Sequence, residues 1–528
     1  MIRFKRIWFT VRRLKVRQIL YRVWYSLRRP RAIVPPVIVR ANFRGTIPHI
    51  AGPIRMTGPT RFRFLNETKE LERVGWQGTG CSDLWRYHLH YFDDLNAQKA
   101  QARRDWHERL IDRWIDENPC PEGVGWDSYP TSLRIVNWIK FDLRTQSLGV
   151  RAQQNLATQI ACLSRRIEYH IDGNHLLKNA KALVFGGVYF DHSEWLRQGL
   201  RVLRAALREQ ILPSGAHFEH SPMYHAQVTE DVLDLLALGR ISPKADALEA
   251  LCTPLVPRLL EWLEQMTHPD GAPAFFSDTC LNEAPLLADL WSYAKRLGIE
   301  PASVEIGANG CSHARLEAQN AVAIVDIAPL GPDTQPGHGH ADALSFELSL
   351  FSQRVLVNSG VSTYEKGPLR DLQRGTAAHN TVCVSGENQS DLWAAFRVGQ
   401  RAHILKSTCA KGQASGSHDG YLSRFGVVHK RVCSLDDGEF RIEDWLIGAC
   451  VSATARFHFH PDVRVQLITP YSGRGALQNG SRFEWTLSES GQTLEQTQWF
   501  PEFGKAQSNQ CLVVPMGGYC CAEFRWGI

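Results

Sequence analysis

From about residue 102 to 298 the apolar side chains mostly recur every three or four positions, in runs such as "DWHERLIDRWIDEN", "NLATQIACLSRRIEYHI", "SEWLRQGLRVLRAALREQI" and "LVPRLLEWLEQM". That spacing lines one side of a 3.6-residue turn and predicts consecutive helices, with Gly, Pro and Asp at the joints. Beyond about residue 311 the period falls to two, in short β-branched or aromatic runs such as "NAVAIVDIAPL", "ALSFELSLF", "HNTVCVSG", "FGVVHKRVCSL" and "ATARFHFHPDV". Turn residues break these runs at regular intervals, which predicts a large antiparallel β-sandwich. At the start, Ile2, Phe4, Ile7, Trp8, Val11, Leu14, Ile19, Val23 and Trp24 recur near helical spacing and predict one amphipathic helix. The pattern divides the chain into a segment 1–40, a helical domain 41–305 and a β-domain 306–528, and a ligand cleft belongs where the last two meet.

Charge changes the picture only at the front. The formal net charge is +6, but the first 31 residues hold 11 Lys and Arg and no Asp or Glu. The remaining 49 basic residues face 54 acidic ones, a net −5, so no positive field covers the body and nucleic acid is not an expected partner. The basic amphipathic segment suits either peripheral contact with an anionic membrane or packing on its own domain. Arginines interrupt it too often for a secretory signal, and no apolar run reaches the ~18 residues needed to cross a bilayer. Thirteen cysteines without a CxxC pair fit reduced thiols and a cytoplasmic location, at the membrane's inner face if the segment docks there. Oligomeric state is open.

Several clusters carry candidate chemistry. "DGNHLLKNAKAL" places Asn174 and His175 before a helix, where Asn174 could equally be a plain N-cap. "PSGAHFEHSPMYHAQV" gathers His217, Glu219, His220, Tyr224 and His225 in one loop. "QPGHGHADALSFELSL" holds His338 and His340, which share a face if the strand has begun there. With Asn358 and His379 further on, spacing allows a zinc or other divalent site or merely hydrogen-bonded histidines.

Taken in order, "GNHLLKNAKAL", "EHSPMYHAQV", "HPDGAPAFFSDT", "GHGHADALSFEL", "NSGVSTYEKG" and "RGTAAHNTVCVSGENQSDLW" resemble the heparinase II/III-like family of polysaccharide lyases. The resemblance implies an incomplete (α/α) toroid followed by an antiparallel β-sandwich. "LWRYHLHYFDDL" and "GWDSYPTSLRIVNWIK" are similar to the branch associated with bacterial exopolysaccharide and lipopolysaccharide biosynthesis. There Trp126 and Arg134, with Trp85, Tyr129 and Trp138, would stack on sugar rings and hold acidic groups, although aromatic residues at helical spacing also build toroid cores.

The implied reaction is β-elimination of a uronate-containing acidic polysaccharide. Asn174 and His175 would hold the carboxylate, Tyr224 would protonate the leaving oxygen, and either Tyr224 or His338 would take the C5 proton. A phenol serving as base needs a depressed pKa, so cationic neighbours are expected around Tyr224. His340 and His379 would bind a structural metal with Asn358, which stands where many relatives carry Asp. Lys178 stands where some relatives have a Glu that orients the histidine. A lysine cannot accept that bond and could bind an acidic sugar instead. Glu219, His220, Tyr364 and Arg374 complete the expected substrate contacts. Two other classes stay open: a non-catalytic glycan-binding or assembly protein, and a glycoside hydrolase with Glu219 and Asp278 as the only available carboxylate pair.

Overall fold

The computed structural model describes residues 2–27, 39–300, 312–449 and 451–527. The boundary expected at 305/306 lies outside the described residues.

The helical half is an incomplete toroid. Its main helices are Arg104–Glu117, Ser128–Thr145, Val150–Ser164, Gly173–Tyr189, Ser193–Gln210, Pro222–Ile241, Val256–Gln265 and Leu287–Arg296. Outer helices show the periodicity directly: Ser193–Gln210 buries Trp195, Gly199, Val202, Leu203, Ala206 and Leu207 and exposes its arginines. Gly173–Tyr189 and Pro222–Ile241 are instead buried on nearly every side and run through the core. The first packs closely on Ser193–Gln210 because a Cβ at Gly187 would come within 2.4 Å of the Leu196 nitrogen.

The second half contains an eight-stranded antiparallel sheet and two four-stranded ones. In the large sheet Val427–Asp436 and Glu439–Gly448 alternate buried and outward positions strictly, the pattern of a sheet with one face in the core. A smaller sheet, His313–Ala318, Ala321–Asp326, Phe346–Leu350 and Gln353–Leu356, lies next to the toroid and carries the loop containing His338. Phe346, Phe440, Phe457, Trp485 and Phe524 belong to the main core shared by these sheets.

Two local features differ from the sequence reading. A three-stranded sheet, Met56–Gly58, Arg61–Phe64 and Glu67–Glu70, precedes the helices; "RFRF" with Phe62 and Phe64 buried is a period-two signal too short to stand out. The front segment is two helices, α1 (Ile2–Val11) and α2 (Val16–Leu27), not one. Both lie across the junction of the two halves. Arg6 bonds Asp391 and Thr10 donates to Val398 O on the β side, while Tyr25 donates to Ile167 O on the toroid. Buried Gln18 spans both, donating to Ile171 O and Thr334 O.

Candidate active site

Where toroid and sandwich meet, a cavity of about 1040 Å³ is lined by both. Asn174 enters it from the first turn of Gly173–Tyr189 and Tyr224 from the first turn of Pro222–Ile241. His338 enters from the loop before Phe346–Leu350. The rings of Tyr224 and His338 are 4.1 Å apart, and the Tyr224 hydroxyl lies 3.0 Å from that of Tyr364. His175, Lys178 and Tyr129 also line the space, as do Leu14 and Gln18 of the front helices.

Asn174 is not an N-cap; that position is Asp172, and Asn174 is the second helical residue. Its amide nitrogen donates to Glu219 at 3.1 and 3.3 Å, and its backbone N–H donates to the same carboxylate at 3.2 Å. Glycine at 173 permits this: φ there is +58°, and a Cβ would sit 2.3 Å from Glu219 Oε1. The anchoring leaves Asn174 Oδ1 buried with no partner among the described residues. Just before Gly173, Asp172 also has positive φ and is fully buried; Lys15, which precedes α2, and Arg17 in its first turn bind its carboxylate at 2.8 and 2.9 Å.

The carboxylate that orients His175 is Glu168, which accepts from Nδ1 at 3.2 Å. Burial pushes Glu168 up, but the charge and hydrogen bond of His175 and a bond from Asn179 outweigh it and hold the carboxyl below its usual range. Lys178 turns instead to Asp231, at 2.8 Å in the cavity wall. The missing Glu at position 178 is thus replaced from a different part of the chain.

Arg370 is within electrostatic reach of Tyr224 but is paired with Asp278, so the depressed pKa expected of a base does not arise. Burial, reinforced by Tyr129 and Asp278, holds its hydroxyl well above the usual tyrosine range, so it is a phenol that donates.

His338 and His340 do not share a face, because the strand begins only at Phe346. They are joined through Asp278. His338 Nδ1 and His340 Nε2 each lie 2.9 Å from a different oxygen of this carboxylate, and Arg370 grips both oxygens. Burial alone would raise Asp278, yet Arg370 and the bonds from both histidines keep it well below the carboxylate range. An ionised carboxylate only accepts, so both histidines donate to it. In the neutral rings this selects the tautomers, with the lone pair on Nε2 of His338 and on Nδ1 of His340.

The Nδ1 of His340 and Nε2 of His379 are buried and unpartnered among the described residues, and they form a group with Asp342 whose ligand atoms all lie within 4.8 Å of one another. Two imidazole nitrogens and a carboxylate fit a divalent cation. The carboxylate is Asp342, which the sequence reading passed over although it continues the alternation of 338 and 340. Asn358, expected as the third ligand, lies on the far side of His379, its oxygen 3.3 Å from Nδ1. There it orients the ring and leaves Nε2 facing His340 and Asp342.

Five expected substrate contacts do not line the cavity. Trp126 is in the toroid core, its indole N–H on Asn118 O. Arg134 is fully buried, stacked 3.9 Å above Trp114 and bonded to Gln159 and His90 O. Glu219 holds Asn174 from behind. His220 faces Pro329 O across the domain junction. Arg374 clamps Gly339 O and Ala395 O and so pins the loop of His338. Trp85 and Trp138 are likewise core. The proposed hydrolytic pair fails too, since Glu219 and Asp278 are both buried and already bonded.

The family models "Heparinase II/III N-terminus" and "Heparinase II/III-like, C-terminal" match residues 91–299 and 308–527. Among curated proteins, a heparin-sulfate lyase of Bacteroides thetaiotaomicron is 23% identical over 382 residues, 60% of this chain and 54% of its own length. One from Pedobacter heparinus is 24% identical over 250 residues, 42% of this chain and 37% of its own length. The chain thus spans about half or less of the curated relatives it matches. Among solved structures, heparinase III aligns with a TM-score of 0.68 at 17% identity, covering 84% of this chain and 78% of that one. A heparan sulfate lyase from Pedobacter heparinus aligns at 0.61 and 17% identity, covering 96% and 87%. At such identities the likeness is one of fold: toroid followed by sandwich.

Proposed function

Because the chain belongs to the heparinase II/III-like family, we propose that it is a polysaccharide lyase that cleaves a uronate-containing acidic polysaccharide by β-elimination. The observation that carries this reading is that Asn174, Tyr224 and His338, from both halves of the fold, open onto one cavity. The names of the curated relatives support the reaction class.

In this reading the uronate carboxyl lies against Asn174 and His175, and withdrawing its charge makes the C5 proton more acidic. His338 Nε2 takes that proton. The electron pair forms the C4–C5 double bond, the C4–O4 bond breaks, and Tyr224 gives its proton to O4. The high pKa of Tyr224 suits the acid role and not the base role. Solvent then restores both groups. Asp278 holds His338 in the tautomer the step requires, as a carboxylate does for a catalytic imidazole elsewhere.

A divalent cation held by His340, Asp342 and His379 would act by charge alone, bracing the His338 loop through Asp278. Zinc suits the two nitrogens and one oxygen.

Mass spectrometry of products from a panel of uronate polymers tests the reaction type. Elimination yields fragments whose masses sum to the parent, whereas hydrolysis adds one water. Fragments carrying that extra water, or no cleavage of any uronate polymer, would overturn the proposal.

A further inference from the structure

The front helices are amphipathic in the opposite sense from the rest of the molecule. Much of their polar side faces the protein: Arg6, Thr10, Arg17 and Gln18, with Arg13 and Lys15 of the turn between the helices, all bond to the toroid or the sandwich. Their apolar side chains face outward. On α2, Val16, Ile19, Leu20, Val23 and Leu27 form one stripe at helical spacing, and on α1 Ile7, Trp8 and Val11 are exposed at helical spacing as well. Exposure reaches 63% for Trp8, 73% for Val16 and 78% for Leu27, whereas the long toroid helices Ser193–Gln210 and Pro222–Ile241 expose no large apolar residue. Eight exposed apolar side chains at helical spacing on two successive helices mark a docking surface, not scattered exposure.

We propose that this face docks on an anionic lipid bilayer, with α1 and α2 lying flat in the interface. Charge selects the occupant. Residues 1–31 carry eleven Lys and Arg and no acid; Arg6, Arg13, Lys15 and Arg17 are paired with carboxylates of the protein, whereas Arg12 and Arg22 are exposed, and Arg28, Arg29 and Arg31 follow the stripe in sequence. A second copy meeting face to face would bring two such basic segments together, whereas anionic headgroups complement them. An exposed Trp among short aliphatic residues suits the headgroup boundary. At 10 and 12 residues the helices are far too short to cross, and among the described residues no helix is long and apolar enough to do so.

The test is flotation of the full chain with vesicles rich in phosphatidylglycerol and with vesicles of phosphatidylcholine alone, for the wild type and a W8S/L20S/V23S triple variant. These positions are exposed, so the variant should keep the wild-type melting temperature. The expected result is binding to anionic vesicles, weakened by high salt and reduced about tenfold or more in the variant. No flotation with anionic vesicles, or equal flotation of variant and wild type, overturns the proposal. So does light scattering that shows this face closing a dimer while vesicles bind nothing. None of these outcomes depends on the lyase reading.

Discussion

His175 lies between two acidic alternatives, one absent and one unexpected. Position 178, where some relatives carry the orienting Glu, is a lysine here and serves Asp231; Glu168, ten residues earlier, accepts from the ring instead. Replacing Glu168 with Ala should therefore lower kcat/KM about tenfold or more, with partial rescue by Glu168→Gln, which retains an acceptor. Equal kinetics in all three proteins, measured by initial rates on a cleaved polymer, would remove Glu168 from the site. The same scale explains what could be read in advance. Asn174, Tyr224 and His338 sit in distinctive short motifs, so they were readable. Glu168, Asp278 and Asp342 act through partners brought together only by folding, and an Asp in a strand-like run carries no mark of its partner. Arg134 and Trp126 show the converse error. Aromatic and basic residues that look like sugar contacts are satisfied inside the toroid by a buried glutamine, a backbone carbonyl and a stacked indole.

At the level of elements, helical and strand periods predicted the two halves because packing in each follows its own repeat. What the pattern could not convey is orientation. The front segment has the stripe of an ordinary amphipathic helix, yet its polar side meets the protein, because Asp172, Asp333 and Asp391 await its cations. Asp172 is the sensitive point. Its carboxylate is fully buried, and Lys15 and Arg17, which bind it, come from α2 and the residue before it. Removing them in a K15A/R17A variant strands an anion one peptide from Gly173 and two from Asn174, a loss of about 3–5 kcal/mol for a buried pair broken on one side. Partial exposure of Lys15 and Arg17 puts the effect at the low end. Thermal denaturation should show a lower melting temperature, and turnover should fall more than substrate binding. An unchanged melting temperature and unchanged rates would mean that water serves Asp172 equally well.

The whole molecule buries many neutral histidines, and this sets its response to acid. Burial lowers His90 and His458 to about 3 and His220 and His225 to about 4. Unfolded histidines bind protons from about pH 6.5 downward. Stability is therefore full above about pH 6.5 and falls as the pH drops towards the folded values, by about 1.4 kcal/mol per pH unit for each histidine. The buried carboxylates act in a lower window. Arg431 and His429 overcome the burial of Asp444 and hold it at about 2, so its contribution persists above about pH 4 and is lost below. Calorimetry should accordingly show a melting temperature that declines steadily from about pH 7 to 5; a flat profile would contradict the buried neutral state. The proposed cation adds a second global test. Chelation should lower the melting temperature by a few degrees in the wild type and much less in Asp342→Asn, and the wild type should hold about one bound ion per chain by elemental analysis. No bound ion and no shift would leave His340, Asp342 and His379 as a hydrogen-bonded cluster.

The claim on which the account rests is that Tyr224 from the toroid and His338 from the sandwich act on one sugar unit as acid and base. It is tested most directly by the ultraviolet absorbance of the newly formed double bond during digestion of a uronate polymer, followed in the wild type, Tyr224→Phe and His338→Gln. The account predicts a rise in the wild type and a rate lower by about 10²–10⁴ in each variant, with polymer binding retained. A Tyr224→Phe or His338→Gln enzyme that generates the chromophore at the wild-type rate would contradict it.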